Sequence, residues 1–410
     1  MRLAPYRAVL RLPGVRSLLL VAVLARVPSV AAGVTVTLHV VFELGHGYLA
    51  AGLVGTASTV GSAIGAPLLG RMVDRRGLRP VLAVCTAAEA LFWFTAGYLP
   101  YPLLLVGALA AGLLMLPVFS VVRQSLAALV PPPHRRPAYA LDSMSVELSF
   151  MVGPALAVLL ATEVSARAAM LAVGAGIVSA GVALLVFNPP VRTDDEETAA
   201  ADGPPPRRRD WLSPRMLAIL AIAVATTLVL GGTDVAVVAV LRESGQVGWT
   251  GLVLALWGAY SLAGGFVYGS LRRAPSPLVL LAVLAAGTVP VGLAGDQWWL
   301  VAVALIPAGA LCAPTLAAAA DAVSHLAPPS VRGEAMGLHG SAITIGLALG
   351  APLAGAVIDH SSPPWGFAAT GVAGLVVALA ALPAWLLRRR PPATPAAVPR
   401  QVETITPVDA

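Results

Sequence analysis

"GRMVDRRGLRP", Gly70 to Pro80, places four arginines, one aspartate and two glycines between two long apolar runs. Each flanking run approaches the roughly 20 residues that a helix needs to cross a bilayer. A charged turn this short between two such runs joins two membrane spans, so lipid is the solvent of this chain. Composition agrees. The 410 residues are 58% hydrophobic and 11% charged, with a mean hydropathy of +0.85. A water-soluble domain has about a quarter of its residues charged, so this chain lacks the polar surface to dissolve.

All 26 basic residues are arginine, which reads as a GC-rich coding bias rather than as mechanism. Cys85 and Cys312 lie in apolar runs and read as small core residues. Two such cysteines exclude a disulfide or zinc framework. The opening "MRLAPYRAVLRLPGVRSLLL" has the look of a signal peptide, but its apolar stretch continues to about Val41 with no small-residue cleavage site. It reads as the first span.

Runs of spanning length occur at 17–41, 48–70, 80–98, 102–124, 138–160, 166–187, 214–240, 248–270, 277–294, 298–320, 335–358 and 365–387. The predicted fold class is therefore an all-α integral membrane protein with twelve transmembrane helices in two pseudo-symmetric six-helix bundles. The longest polar interruption contains "RTDDEETAAADGPPPRRRDWLSP". It divides the chain into an N-terminal bundle (1–188), a cytosolic linker (189–213), a C-terminal bundle (214–390) and a disordered cytosolic tail (391–410). With both termini inside, only Arg26, Arg167 and Arg242 of the 26 arginines fall away from the cytosolic side, as the positive-inside rule requires. Trp211, Trp249, Trp298, Trp299, Trp365 and Trp385 stand near span ends, where amphipathic rings prefer the interface.

Two stretches of the halves superpose, each without gaps. An offset of 199 carries Gly52, Leu53, Ser62, Gly65 and Gly70 onto Gly251, Leu252, Ser261, Gly264 and Gly269. An offset of 197 carries Arg135, Ala138, Leu141, Gly153, Leu156 and Ala157 onto Arg332, Ala335, Leu338, Gly350, Leu353 and Ala354. Two matched bundles facing each other suit a machine that rocks about a central site.

With these features in place, the opening stretch resembles the loop 2–3 signature of the major facilitator superfamily. Gly70, Asp74, Arg75, Gly77 and Arg79 occupy its positions, and Leu78 stands where a basic residue is common. The resemblance covers nearly the whole chain and implies a conformational latch at this loop. It would hold the halves in an outward-facing state, with the N-terminus of helix 11, near Glu334–Ala335, as partner. The residue types suit the role: glycines allow close approach and positive φ, and an aspartate suits a helix N-terminus. The arginines also serve as anchors near anionic headgroups. In the second half the matching "GSLRR", Gly269 to Arg273, retains only the anchor.

Ionisable residues inside spans are costly and mark function until paired off. Arg26 and Glu147 each lie about 13 Å from the cytosolic helix end, on helices of one bundle that run in the same direction. The expectation is an Arg26–Glu147 ion pair, serving either proton coupling or bundle geometry. Glu89, mid-way along helix 3, is expected to contact another helix of its half. His39 and Asp234 sit in the outer thirds of helices 1 and 7, either exchanging protons with the outside or standing wet at the cavity mouth. Asp142, His339, Arg123 and Asp321 lie near cytosolic helix ends, where caps and loop contacts are the default, with gating contacts as the alternative for Arg123 and Asp321.

"SFMVGPALA" in helix 5, with Ser149, Gly153 and Pro154 in register, resembles the superfamily's antiporter signature, although Ala157 and Val158 replace its trailing glycines. "GLALGAPLAG" in helix 11 places Gly346, Gly350, Pro352 and Gly355 as a packing and pivot set. Small residues every four positions let helices pack backbone to backbone, and proline bends them. The helix 4 arginine common in proton-coupled drug exporters is absent, with Ala108 near its slot and Gly112 after it.

These readings converge on a secondary transporter of a small organic solute, exporting it against proton entry, in the bacterial cytoplasmic membrane. It is expected to be a monomer, driven by the proton gradient with no bound cofactor or metal, touching anionic lipid and no nucleic acid. The alternatives are a proton-linked importer or uniporter, or a non-transporting receptor or scaffold on the same fold. No HExxH, GxSxG or P-loop is present, and an enzyme is not expected.

Overall fold

A computed structural model describes residues 4–193, 196, 206–271, 273–295 and 297–386. The predicted tail, 391–410, lies outside the described residues. The structure has twelve helices of spanning length: α1 (Val15–Phe42), α2 (Leu49–Arg76), α3 (Leu78–Ala96), α4 (Tyr101–Leu129), α5 (Pro132–Glu163), α6 (Ala166–Phe187), α7 (Pro214–Glu243), α8 (Val247–Ser270), α9 (Pro277–Ala294), α10 (Ile306–Leu326), α11 (Pro329–His360) and α12 (Pro364–Leu386). Several run a turn or more past the predicted ends. The tenth differs in kind, because residues 298–304 form a separate short helix, Trp298–Ala304, before α10 begins.

Pairing repeats after six helices. In the first half α1 packs on α5 and α6, α2 on α4, and α3 on α6; in the second α7 packs on α11 and α12, α8 on α10, and α9 on α12. Glycines set the closest approaches. A Cβ on Gly65 would overlap the Leu113 carbonyl of α4, and one on Gly264 would overlap the Ala310 carbonyl of α10. Gly65 and Gly264 are repeat-related, and so are their partners. Between such small residues dispersion replaces the hydrophobic effect, which lipid does not supply. Leu20, Leu24, Leu91, Leu103, Val186 and Leu379 point outward and are exposed, as a lipid-facing shell requires.

One span is broken. The α-helical part of α4 stops at Leu113 and resumes at Val118, after Pro117. Backbone amides freed at membrane depth need partners, and Glu89 of α3 supplies one: Oε1 accepts the Leu116 amide at 3.3 Å. Its Oε2 accepts Trp93 Nε1 at 2.8 Å. The contact expected of Glu89 within its own half is this bracing of α4.

Candidate functional site

The two halves meet along α2·α11 and α5·α8. Gly77, at φ 83°, is shared by the end of α2 and the start of α3, a left-handed corner that favours glycine. That corner presents Asp74 to the first turn of α11. Its Oδ1 accepts the Gly333 amide at 3.0 Å and its Oδ2 accepts the Glu334 amide at 2.8 Å. Arg192, from the segment after α6, donates to both the Asp74 carbonyl and Oδ1, at 3.0 and 3.2 Å. Beneath, a Cβ on Gly70 would collide with the Gly333 carbonyl, and one on Gly337 with Ala66 and Pro67.

Sequence reading missed the charges that surround this contact. Arg71 grips Glu334 with two hydrogen bonds of 3.0 and 2.8 Å, and Arg208 reaches the same carboxylate at 2.6 Å. Glu196 holds Arg332 by two bonds of 2.9 and 2.7 Å. Burial pushes the Glu196 carboxyl up, but hydrogen bonds from Arg332 and the Thr193 amide outweigh it and hold the group below its ordinary range. Segments from both ends of the central linker thus strap the seam. Arg75 and Arg79 are exposed; Arg75 borders a small recess with Arg71 and Asp74.

The repeat-related seam uses the opposite polarity. Arg136 at the start of α5 donates to the Leu271 carbonyl just past α8, so a cation meets a helix C-terminus, again matching the dipole. Tyr6, on the short helix Ala4–Arg11, donates to the Phe266 carbonyl and stacks on the Phe266 ring at 4.8 Å between centroids. Gly269 has no room for a Cβ against Tyr6 and Ala140.

The predicted Arg26–Glu147 pair is not formed. Arg26 is buried and binds Asp142 Oδ1 at 2.6 Å and Ser145 Oγ at 2.7 Å, with Phe119 beneath its guanidinium at 4.9 Å. The reason is geometric. Side chains on a helix lean toward its N-terminus, so the long Arg26 reaches down toward the arginine-rich end rather than level across. Helix α5 also begins earlier than predicted, which carries Asp142 inside the bundle instead of leaving it as a cap. Asp142 Oδ2 accepts Arg123 Nε at 3.2 Å, and Arg123 Nη1 lies 3.0 Å from His339 Nδ1 across the seam. Guanidinium only donates, so His339 Nδ1 accepts. Arg26, Asp142, Arg123 and His339 thus form one buried chain rather than four helix-end contacts. Asp321 pairs with His325 one turn on.

Glu147 turns to the other half instead. The Ser261 hydroxyl of α8 donates to its Oε1 at 2.9 Å and itself accepts the Ala313 amide of α10 at 3.1 Å. Asp234 of α7 is exposed and close enough to Glu147 for their charges to interact. No cation is paired with either among the described residues. Asp234 also lines a cleft of about 720 Å³ with Arg242, Leu254, Gly355 and Ile358, on the face opposite the arginine-rich one. His39 departs from expectation: it is fully buried, with neither ring nitrogen hydrogen-bonded, and is not at a cavity mouth.

Of the glycine-proline set, Gly153 packs on the α1 backbone at Val27 and Ala31, and Gly346 and Gly350 on the α7 backbone at Val224 and Leu228. Pro154 and Pro352 sit within continuous helices, Pro352 exposed. Gly355 meets nothing within 4 Å and borders the cleft, so it is a cavity residue rather than a packing one.

The hydrogen bonds that join the halves run from the arginine-rich face to mid-span at Glu147–Ser261. Toward the opposite face Gly52, Gly55, Gly251 and Gly355 have open space before them. A twelve-helix membrane fold of two matched lobes, hydrogen-bonded to each other from one face to mid-span, is the class this architecture defines. The sequence profile of the Major Facilitator Superfamily matches residues 18–294 and 244–408. The chain belongs to that superfamily, a family of membrane transporters.

Three solved structures share the fold. The human organic anion transporter MFSD10 (TETRAN) aligns with a TM-score of 0.70 and 17% identity over 90% of this chain and 100% of that one. A bacterial homologue of the iron transporter ferroportin, in the outward-facing state, gives 0.70 and 15% over 90% and 97%. The proton:xylose symporter XylE bound to 6-bromo-6-deoxy-D-glucose gives 0.64 and 14% over 89% and 94%. No curated protein sequence matches the chain.

One expected result follows from the glycine seam. Gly70→Val would drive a side chain into the Gly333 backbone, and overpacking of about 1–3 kcal/mol would move the closed–open balance by about fivefold to about 150-fold. Thiol-labelling of a cysteine placed at the α2–α11 seam reads this as increased accessibility; unchanged labelling would show that the seam tolerates the wedge.

Proposed function

We propose that this protein is a secondary transporter that exports a small organic solute in exchange for protons, by alternating access between lobes 1–188 and 214–390 joined by the linker 189–213. It works as a monomer in a bacterial cytoplasmic membrane, with the arginine-rich face and both termini cytosolic and anionic headgroups against the arginines. The proton gradient drives it, with no bound cofactor and no nucleic-acid partner. Asp74, with Gly70, Gly77 and its surrounding arginines, latches the cytosolic face.

The observation that carries the reading is Glu147 with Asp234. Neither carboxylate has an ion-pair partner among the described residues, Glu147 at mid-span and Asp234 in a cleft that Arg242 also lines, and a proton or a cationic group would neutralise them. Glu147 also touches the opposite lobe through Ser261. Neutralising it weakens a contact that bridges the seam, which links proton uptake to lobe movement. A site on a pre-existing two-state seam is what coupling requires.

Proteoliposomes enclosing a pH-sensitive dye test this. Solutes from a panel should elicit proton movement with the wild-type protein, and Glu147→Gln should abolish it while equilibrium solute exchange continues. Proton movement that survives in both Glu147→Gln and Asp234→Asn would overturn the coupling role.

A further inference from the structure

We infer that Arg123 and Arg26, with His339, form an anion-binding subsite that becomes accessible when the lobes part at the arginine-rich face, so that the exported solute is an organic anion. This deepens the exporter reading and rests on it for the side from which the solute enters.

The buried chain holds two guanidinium groups, one carboxylate and one imidazole. Arg123 donates to His339 Nδ1, so that nitrogen carries no proton and the imidazole adds no charge. One positive charge is left over, in a group of side chains at most 3% exposed. An unbalanced charge at this depth is expensive. Bundle geometry does not require it, because Arg26 and Asp142 alone would tie α1 to α5 as a neutral pair. Two further polar atoms are buried with no partner, Arg26 Nε and His339 Nε2. The cluster is under-satisfied as well as over-charged.

Its location gives the surplus a use. Arg123 sits on the seam, and its partner across it belongs to α11, the helix whose first turn Asp74 holds. Parting α2 from α11 withdraws His339 and leaves the Arg123 guanidinium donors facing the newly opened space. A planar fork of donors beside a second guanidinium matches a carboxylate or phosphate group. The walls are the apolar faces of α1, α4 and α11, which favour an anion with an organic body over a hydrated inorganic ion. Two neutralisations then occur from opposite sides: the anion at the arginines from within, the proton at Glu147 and Asp234 from without.

The test uses the full-length protein in phosphatidylcholine nanodiscs, where no anionic headgroup competes, at constant ionic strength. Binding of radiolabelled benzoate, inorganic phosphate and the cation tetraphenylphosphonium is compared for wild type, Asp74→Asn, and each combined with Arg123→Gln. Benzoate should bind, more tightly to Asp74→Asn than to wild type, and Arg123→Gln should weaken it by about tenfold or more. Phosphate should bind less well than benzoate, and tetraphenylphosphonium should be indifferent to Arg123→Gln. That substitution leaves Arg26–Asp142 as a neutral pair and keeps the fold. A merely structural Arg123 would give the opposite sign, because losing its His339 contact loosens the seam and raises affinity. If Asp74→Asn does not fold, the wild-type background decides alone.

Neither anion binding, or benzoate binding unchanged by Arg123→Gln, overturns the subsite. Arg123-dependent benzoate binding without proton-coupled flux supports the subsite and removes the exporter reading. Proton-coupled benzoate flux that persists in Arg123→Gln does the reverse.

Discussion

Asp142→Ala is expected to be the most damaging single substitution in the molecule. It leaves Arg26 and Arg123, 0% and 3% exposed, facing each other with no anion between them. Removing one partner of a buried ionic group costs about 3–5 kcal/mol, because the remaining charge stays desolvated. Here two charges are stranded and they repel. A large part of a typical domain stability of about 5–15 kcal/mol is lost. The expected readouts are low recovery of monodisperse protein in mild detergent and a much reduced thermal midpoint. Asp142→Asn should be milder, since the carboxamide oxygen still accepts from one arginine. Adding Arg123→Gln to Asp142→Ala should restore part of the loss by removing one stranded charge. An Asp142→Ala protein as stable as wild type would mean that water reaches these arginines.

Asp74→Asn comes second and acts on conformation rather than on folding. The carboxylate accepts two amides at the start of α11 and pairs with Arg192. Asparagine keeps one acceptor, turns an NH₂ toward a backbone N–H and loses the charge. Hydrogen bonds to a charged group contribute about 1.5–3 kcal/mol and the interaction with the helix dipole about 0.3–1. A loss of about 2–4 kcal/mol would shift the closed–open balance by about thirtyfold to a thousandfold. Spin labels on α2 and α11 at the arginine-rich face should report a longer distance, and net transport should fall because the reset step is lost. Labels that stay close would show that the glycine contacts and the Arg71–Glu334–Arg208 cluster hold the seam unaided.

Asp74 was legible in the sequence because its neighbours are dictated locally. A left-handed corner calls for Gly77, close backbone contact for Gly70, and a helix N-terminus for an acid. The straps around it were not legible. Arg192, Glu196 and Arg208 lie in a segment whose composition reads only as linker, and their partners Asp74, Arg332 and Glu334 are more than a hundred residues away. Glu89 was readable as a contact within its half, but the broken backbone of α4 that it braces was not, since Leu114–Pro117 carries no charge to mark it.

The Arg26–Glu147 expectation shows where such reading ends. Depth along a helix follows from counting at 1.5 Å per residue, and both residues were placed near mid-bilayer on that basis. Direction around the helix does not follow from counting. Asp142 and Glu147 are five residues apart, so they point about 140° away from each other; one faces α1 and the other faces the opposite lobe. Periodicity offered no way to choose, because these helices are apolar on nearly every side.

Hydropathy, arginine placement and the half-chain repeat therefore determined, by themselves, that this chain spans a bilayer twelve times as two related lobes. Those features follow from the transfer of side chains between water and lipid, a property of each segment alone. Which charges meet, which face is closed, and that one positive charge is left over at the seam were decided only by the tertiary structure. In a low-dielectric interior an ion pair depends on a few ångströms and on rotation about a helix axis, and neither is fixed until all twelve helices have packed.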